Sequence, residues 1–292
     1  MLLKKQRANA GYYFILPTLL LLSLLFIFPL VDTFFISFFN TNLANKWNFI
    51  GFQNYVELFS DKYFWESLWV TLLFTLGAVV GHFILGIVFA LLLNTRVKGR
   101  TVFRVVLLLP WIVPEVVTAL TWTWMYNTTY GIINHTLMAI GLINNPISWI
   151  GDPSTALLAL IITVIWKGYP FVMITVLAGL QAIPLDLYEA AEIDGASGWG
   201  KFLYVTVPGL KNVVLITAIL DSIWWFKHFT IIHAMTGGGP VRATEVLSIS
   251  VHRNAFTNFK FGYASSLAIV IFIICITITL IYQRVLTGGD GV

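Results

Sequence analysis

Four ionisable side chains interrupt long apolar stretches of this chain: Glu115, Lys167, Asp221 and Lys227. A charged group inside a lipid bilayer is costly, so residues of this kind usually mark a transport pathway. Lys167 and Asp221 carry opposite charges and lie on consecutive apolar segments. We therefore predict that they pair and face the interior of a helix bundle. The alternative is a buried pair that only fixes how the helices pack.

Aromatic and polar side chains recur beside these charges at helical spacing. In one segment four of them fall at i, i+3, i+4 and i+7, which is a single helix face. Such a face suits a small-molecule pathway, although tryptophans also serve in helix packing and in interfacial belts. The candidates so far are Asp221, Trp224, Trp225 and His228 in that segment, Glu115 and Trp122 in an earlier one, and Lys167 between them. His82 lies alone on an apolar segment, and we interpret it as a packing residue.

The elements that position these residues are membrane helices. The chain has 292 residues, of which 58% are hydrophobic and 10% charged, whereas a soluble domain has about 25% charged residues. A bilayer core about 30 Å thick needs roughly 20 apolar residues per helix. We therefore predict an all-α, polytopic membrane protein. Its six transmembrane helices are expected at about 12–36, 68–93, 103–126, 155–180, 213–234 and 264–286.

The basic residues predict the orientation in the membrane. Ten lie on the side of the two termini and six on the other side, and four of the ten crowd into the short 94–104 loop. The positive-inside rule then places both termini, 1–11 and 287–292, in the cytoplasm. The same rule places the 181–212 loop there. Because the basic residues flank apolar segments, the net charge of +4 does not indicate nucleic-acid binding.

The sequence lacks the motifs that are typical of several other classes of protein. No Walker A motif occurs, and the glycine-rich TGGGP stretch has no lysine. The histidines are too sparse for a metal site, and the single Cys275 rules out a disulfide framework. We expect no cofactor or metal in this chain and no enzymatic activity of its own.

The stretch YEAAEIDGAS, residues 188–197, is unusually acidic for so apolar a chain. Pro184 is expected to end the preceding helix, and Asp186 is a candidate N-cap for a short helix from Leu187 to Ile193. Gly195 suits the left-handed turn that ends such a helix. An amphipathic helix on the membrane surface is the alternative, but those helices usually carry basic rather than acidic polar faces.

This stretch resembles the EAA loop of binding-protein-dependent ABC importer permeases, whose pattern is E-A-A, three residues, G, nine residues, then I-x-L-P. Here valines replace the isoleucine and the leucine of that pattern. In the family the loop forms a coupling helix that docks into a cytoplasmic ATPase. The resemblance implies an ATPase-coupling role for Glu189, Ala190, Ala191, Asp194, Gly195 and Pro208.

The stretches YYFILPTLLLLSLLFIFPL, WKGYPF and MTGGGPVRATEV resemble the carbohydrate and sn-glycerol-3-phosphate branch of that family, in its first-permease type. The resemblance implies a heterodimer with a second permease, two ATPase subunits that bind ATP and magnesium, and an external solute-binding protein. It also implies that Gly168 and Phe171 contribute to the substrate pathway. We expect Pro170, in the same motif, to interrupt its helix and free backbone carbonyls.

Within this class we rank a neutral oligosaccharide first, because Glu115 and Asp221 argue against a strongly cationic pocket. An acidic or phosphorylated substrate is the alternative, because Lys167, Lys227 and His228 supply positive charge. A secondary transporter with Lys167 and Asp221 as an ion-coupling pair is a further alternative, but the chain shows no convincing internal repeat. A membrane-embedded enzyme would need a nucleophile, a base or a metal cluster, and none is visible.

Overall fold

The computed structural model describes residues 14–95 and 98–287, and these residues are mostly helical. Of the predicted cytoplasmic termini, 1–11 and 288–292 lie outside the described residues. In chain order the elements are α1 (Phe14–Ile36), β1 (Phe39–Thr41), β2 (Trp47–Phe49), α2 (Gln53–Ser60), α3 (Lys62–Asn94), α4 (Arg100–Ile112), α5 (Glu115–Met125), α6 (Ile132–Ala139), α7 (Pro153–Ala182), α8 (Leu185–Ile193), α9 (Gly198–Lys201), α10 (Val207–Phe226), α11 (Thr230–Met235), α12 (Leu247–His252) and α13 (Phe261–Thr287).

Five apolar helical segments among the described residues are long enough to cross a membrane: α1, α3, α7, the stretch Gly198–Met235, and α13. Each overlaps one predicted span. The sixth predicted span, 103–126, consists instead of two helices, α4 and α5, which are bent by 93° at the break between them. If this pair is one span, the described residues provide six.

The chain divides into two compact units. The first comprises the described residues up to Phe64 together with Ser250–Phe272. In it, β1 and β2 form an antiparallel hairpin in which Phe39 pairs with Phe49. The buried Asn54 at the start of α2 donates hydrogen bonds to the carbonyls of Ser37 (2.7 Å) and Phe39 (3.0 Å), which ties α2 to the hairpin.

The second unit comprises the described residues of Trp65–Ile249 and those from Ile273 onward, and α7 is its most buried long helix. Helix α3 approaches α7 closely at two glycines. A Cβ atom on Gly77 would lie 2.9 Å from Ile161 of α7, and one on Gly86 would lie 2.7 Å from Val172. Without these side chains the two helix backbones pack closely, as is common between membrane helices. Helix α7 is therefore the element around which this unit packs.

Helix α7 begins where the sequence supplies a cap. The Asp152 carboxylate accepts hydrogen bonds from the hydroxyl (2.7 Å) and the backbone N–H (2.8 Å) of Ser154, and Pro153 occupies the first helical position. These hydrogen bonds lower the pKa of Asp152. The expectation that Pro170 interrupts this helix is wrong, because α7 continues through it to Ala182. A proline removes only one backbone donor, a loss that neighbouring helices can offset in a membrane protein.

The predicted short helix in the acidic loop is present as α8. The N-cap prediction for Asp186 is wrong: the helix begins at Leu185, after Pro184, and has no side-chain cap. Asp186 lies instead in the first turn, where a negative charge complements the helix dipole. The left-handed turn at Gly195 is confirmed, with φ of +78°. The N–H groups of Gly195 and Ala196 donate to the carbonyls of Glu192 (3.0 Å) and Ala191 (2.8 Å), which is a Schellman motif.

Candidate functional site

The break between α4 and α5 follows from one proline. Pro114 disfavours helical backbone at the residue before it, and Val113 is accordingly extended, with φ of −61° and ψ of 130°. Helix α4 therefore ends at Ile112 and α5 begins at Glu115. The break leaves backbone carbonyls at the end of α4 without partners inside their own helix.

Lys167 of α7 supplies those partners. Its buried ammonium donates to the carbonyl oxygens of Pro110 (3.1 Å), Trp111 (2.9 Å) and Val113 (2.5 Å). An ammonium carries three N–H donors, so this geometry uses all of them. The positive charge also lies at the negative end of the α4 dipole. Lys167 thus acts as a side-chain cap on the broken helix.

The predicted pairing of Lys167 with Asp221 is wrong. Asp221 accepts hydrogen bonds from Trp225 Nε1 (3.1 Å) and pairs with His82 Nδ1 (2.8 Å). The sequence suggested a bond between the two opposite charges because it gave no sign that a broken helix would offer carbonyl groups. His82 packs as predicted, fully buried against the ring of Trp225, but the sequence did not show that both of its ring nitrogens have polar partners.

A cavity of about 280 Å³ opens at the break. Its wall combines aromatic rings, two carboxylates and the backbone of the break itself. Most of the predicted pathway residues line this cavity, together with Trp111 and the 112–114 segment. The predicted residues that line the cavity are Glu115, Lys167, Gly168, Phe171, Asp221, Trp224 and Trp225.

Two predicted pathway residues do not line this cavity. Trp122 packs against Tyr126 and Trp166, with ring centroids 5.5 and 5.8 Å away. His228 is buried, and its ring centre lies 4.5 Å from that of Trp225. Helix α10 ends at Phe226, so His228 lies beyond the helix whose spacing grouped it with Asp221.

The cavity wall carries two carboxylates as acceptors, together with the indole N–H donors of its tryptophans. Glu115 is half-buried at the first position of α5, where the helix dipole favours its negative charge. Asp221 supplies the second carboxylate and is only 2% exposed. Trp224, by contrast, is 54% exposed and offers an open aromatic face. The wall can accept hydrogen bonds from hydroxyl groups and stack on an apolar ring.

The acidic loop forms a second candidate site, which is a surface rather than a cavity. Six residues were predicted to couple to an ATPase. Ala191 is half-buried and the rest are exposed: Glu189, Ala190, Asp194, Gly195 and Pro208. The hydroxyls of Tyr188 and Thr206 lie 2.9 Å apart, and Lys201 donates to Glu192 at 3.0 Å. These contacts hold α8 against the turn at 202–206 that leads into α10.

The same loop exposes large apolar side chains. Ile193 is 86% exposed and Tyr204 is 81% exposed. Leu185 and Trp199 are also largely exposed. An exposed apolar patch with charged residues beside it is typical of a protein contact surface.

No group of three metal-ligating His, Cys, Asp or Glu side chains occurs within 14–95 and 98–287. Neither candidate site therefore offers a ready metal centre in that part of the chain.

Comparison with known proteins identifies the family. Residues 82–288 match the model for the inner membrane component of binding-protein-dependent transport systems. The chain belongs to this family. It is a multi-pass inner membrane permease of the ABC transporter class, and the predicted all-α membrane fold is confirmed.

Relatives match this permease along nearly its whole length. The trehalose/maltose transport system permease protein MalF of Thermococcus litoralis is 41% identical, with 97% of this chain and 95% of that protein covered. The sulfoquinovosyl glycerol transport system permease protein SmoG of Agrobacterium fabrum is 37% identical, over 94% and 89%. A crystal structure of a bacterial ABC transporter for alginate import has the same fold, with a TM-score of 0.81, 23% identity and coverage of 97% and 98%.

Sequence reasoning missed the break and the role of His82. The signal for the break was present, since Pro114 lies inside an apolar run and disfavours helical backbone at the residue before it. His82 gave no comparable signal, because its partners lie 82 and 139 positions away in sequence.

We predict that Lys167→Met destabilises the permease, because three carbonyls lose their donor in a low-dielectric site. Unsatisfied buried groups cost about 1–3 kcal/mol each, so the thermal midpoint of the purified complex should fall by roughly 5 °C or more. Lys227→Met at the exposed end of α10 is the matched control and should leave the midpoint unchanged. Equal midpoints for the two variants would contradict the capping role of Lys167.

Proposed function

We propose that this permease forms one half of the translocation pathway of an ATP-driven importer for a saccharide. The observation that carries the proposal is the cavity at the α4–α5 break, where three tryptophans and Phe171 surround two carboxylates. Sugar rings stack on aromatic faces, and their hydroxyls donate to carboxylates. The relatives named for trehalose/maltose and for sulfoquinovosyl glycerol transport support a saccharide as the substrate class.

We further propose that the preferred substrate is uncharged. Lys167, the cation of the cavity wall, gives its three N–H donors to backbone carbonyls, so it has none left for an anionic group. Glu115 and Asp221 would repel such a group. An acidic saccharide is the second candidate, because Lys227 lines a neighbouring crevice with Phe171 and Trp224.

The proposed partners follow from the two sites. The exposed apolar and acidic surface of α8 is suited to an ATPase subunit, and two such subunits would bind ATP and magnesium. A second, related permease would complete the pathway as a heterodimer, and an external solute-binding protein would deliver the saccharide. Both termini would lie in the cytoplasm, and this chain would catalyse no reaction itself.

In the proposed mechanism, ATP binding closes the ATPase pair and moves α8. The Schellman turn at Gly195 and the contact between Tyr188 and Thr206 make α8 and the start of α10 move together. Asp221, Trp224 and Trp225 lie on α10, so this motion would change the wall of the cavity. Access to the cavity would then switch from the cytoplasmic to the outer side.

The function is tested by transport in proteoliposomes. The permease would be purified from its native membrane together with its partners, reconstituted, and supplied with radiolabelled trehalose, maltose and sulfoquinovosyl glycerol. We expect ATP-dependent uptake of at least one neutral disaccharide and weaker uptake of the sulfonated compound. Equal or stronger uptake of the sulfonated compound would contradict the proposed preference for an uncharged substrate. ATP-independent uptake driven by an ion gradient would overturn the importer assignment.

We predict that Glu189→Lys uncouples transport from ATP hydrolysis, because it reverses an exposed charge on the surface proposed to contact the ATPase. Uptake should fall at least about tenfold, since a charge contact at an interface is worth 1.4 kcal/mol or more, while the purified permease keeps its thermal midpoint. Glu57→Lys, the same reversal at an exposed residue of α2, is the control. Full uptake by the Glu189 variant would remove α8 from the coupling role.

A further inference from the structure

His82 of α3 is a fully buried histidine with two hydrogen-bond acceptors around its ring. Nδ1 lies 2.8 Å from Asp221 Oδ2, and Nε2 lies 2.9 Å from the carbonyl oxygen of Val164. The side chain is 0% exposed, so water does not compete for either nitrogen. One ring therefore connects three helices, α3, α7 and α10.

The acceptors determine where the protons lie. A backbone carbonyl can only accept, so Nε2 must donate to Val164. Asp221 also accepts from Trp225 Nε1 at 3.1 Å, on the oxygen that does not face His82. Nδ1 of His82 and Oδ2 of Asp221 therefore share one hydrogen bond, and each carboxylate oxygen has one fixed partner.

The surroundings hold the ring in this orientation. A Cβ atom on Gly168 would collide with the His82 ring, so only a glycine fits at that position of α7. On another side the ring of Trp225 packs against it, with centroids 5.1 Å apart. The ring has little freedom to turn away from Asp221, and the carboxylate is held in turn.

Asp221 also belongs to the wall of the cavity. A carboxylate has about four lone-pair positions, and His82 and Trp225 take one on each oxygen. Acceptor positions therefore remain on both oxygens of a residue that lines the cavity. A hydroxyl can donate to such a position, and its hydrogen bond to a carboxylate is charge-assisted and strong.

We propose that His82 is a positioning residue that holds the Asp221 carboxylate at the cavity wall, where it accepts a hydroxyl group of the transported saccharide. This proposal rests on the proposed function of the same cavity. It assigns His82, which does not line the cavity, a role in substrate recognition through Asp221. It also explains the need for glycine at position 168, since the His82 ring occupies the space of its side chain.

The transport test uses the complete transporter in proteoliposomes with radiolabelled trehalose and maltose. His82→Leu removes both ring nitrogens at similar volume, His82→Gln keeps a hydrogen-bonding amide, and Asp221→Asn replaces the carboxyl group by an amide. His135→Leu and His135→Gln, at an exposed histidine of α6, are the matched controls. Co-purification of the partners reports assembly for every variant.

We expect His82→Leu and Asp221→Asn each to lower uptake by about tenfold or more, because a hydrogen bond to a charged group is lost. The double variant should be no worse than either single one, since both act on the same contact. His82→Gln should restore part of the uptake. Equal losses for His82→Leu and His82→Gln, or additive losses in the double variant, would indicate packing alone and overturn the proposal.

Nitrogen NMR of the wild-type transporter tests the proposal without relying on a folded variant. The chain contains five histidines, so the transporter would be labelled with ¹⁵N-histidine and the spectrum of the His82→Gln variant subtracted to isolate the His82 signals. If that variant does not assemble, His82 alone would be labelled in the wild-type chain. We expect Nε2 to carry a proton and Nδ1 to give the chemical shift of a hydrogen-bonded nitrogen. An Nδ1 signal typical of a nitrogen without a hydrogen bond would overturn the proposal. If the wild-type transporter takes up none of the saccharides while the NMR result holds, the proposed function fails and the pairing geometry stands.

Discussion

The structure of the candidate pathway depends on the contact between one ammonium group and three backbone carbonyls. A helix that breaks inside a membrane exposes carbonyl oxygens that lipid cannot satisfy. Lys167 donates to the carbonyls of Pro110, Trp111 and Val113 at 2.5–3.1 Å. A buried ammonium and unpaired buried carbonyls each cost free energy alone, and the hydrogen bonds between them offset both costs. The 93° bend between α4 and α5, and hence the cavity at that bend, is compatible with a membrane only because of this contact.

A second polar contact holds Asp221 in the cavity wall. His82 and Asp221 form a buried pair between α3 and α10, and the Val164 carbonyl of α7 accepts from the other ring nitrogen of His82. Helix α7 therefore contributes to both contacts, with Lys167 at the break and Val164 and Gly168 at the histidine. Its burial within the second unit follows from this central position. Two independent polar contacts on one helix leave little room for that helix to rotate.

The sequence predicted more of the fold than of the side-chain contacts. Apolar length alone located the spans, because a bilayer requires about 20 such residues in each. Helical spacing brought Asp221, Trp224 and Trp225 to one face, and the glycine at position 195 correctly indicated a left-handed turn. These features depend on neighbours within a few residues of one another.

The errors arose where partners are distant in sequence or belong to the backbone. Opposite charges suggested that Lys167 binds Asp221, but backbone carbonyls 54 to 57 positions away are its partners. A single histidine on an apolar helix suggested packing, which is confirmed, but its carboxylate partner, 139 positions away, could not be predicted. Backbone acceptors become available only when a helix breaks, and Pro114, which causes the break, was not recognised as its signal. The opposite error occurred at Pro170, where the sequence suggested an interruption but helix α7 continues through the proline.

The most direct test of the account is the accessibility of Trp224 in the assembled transporter. With Cys275 replaced by serine, Trp224→Cys places a thiol at the cavity wall, and a membrane-impermeant thiol reagent reports whether water reaches it. We expect labelling from the cytoplasmic side without nucleotide. Labelling should move to the outer side when ATP hydrolysis is trapped with vanadate, and bound saccharide should slow it. A thiol that reacts only with lipid-soluble reagents, unchanged by nucleotide and saccharide, would show that the cavity at the helix break is not the translocation pathway.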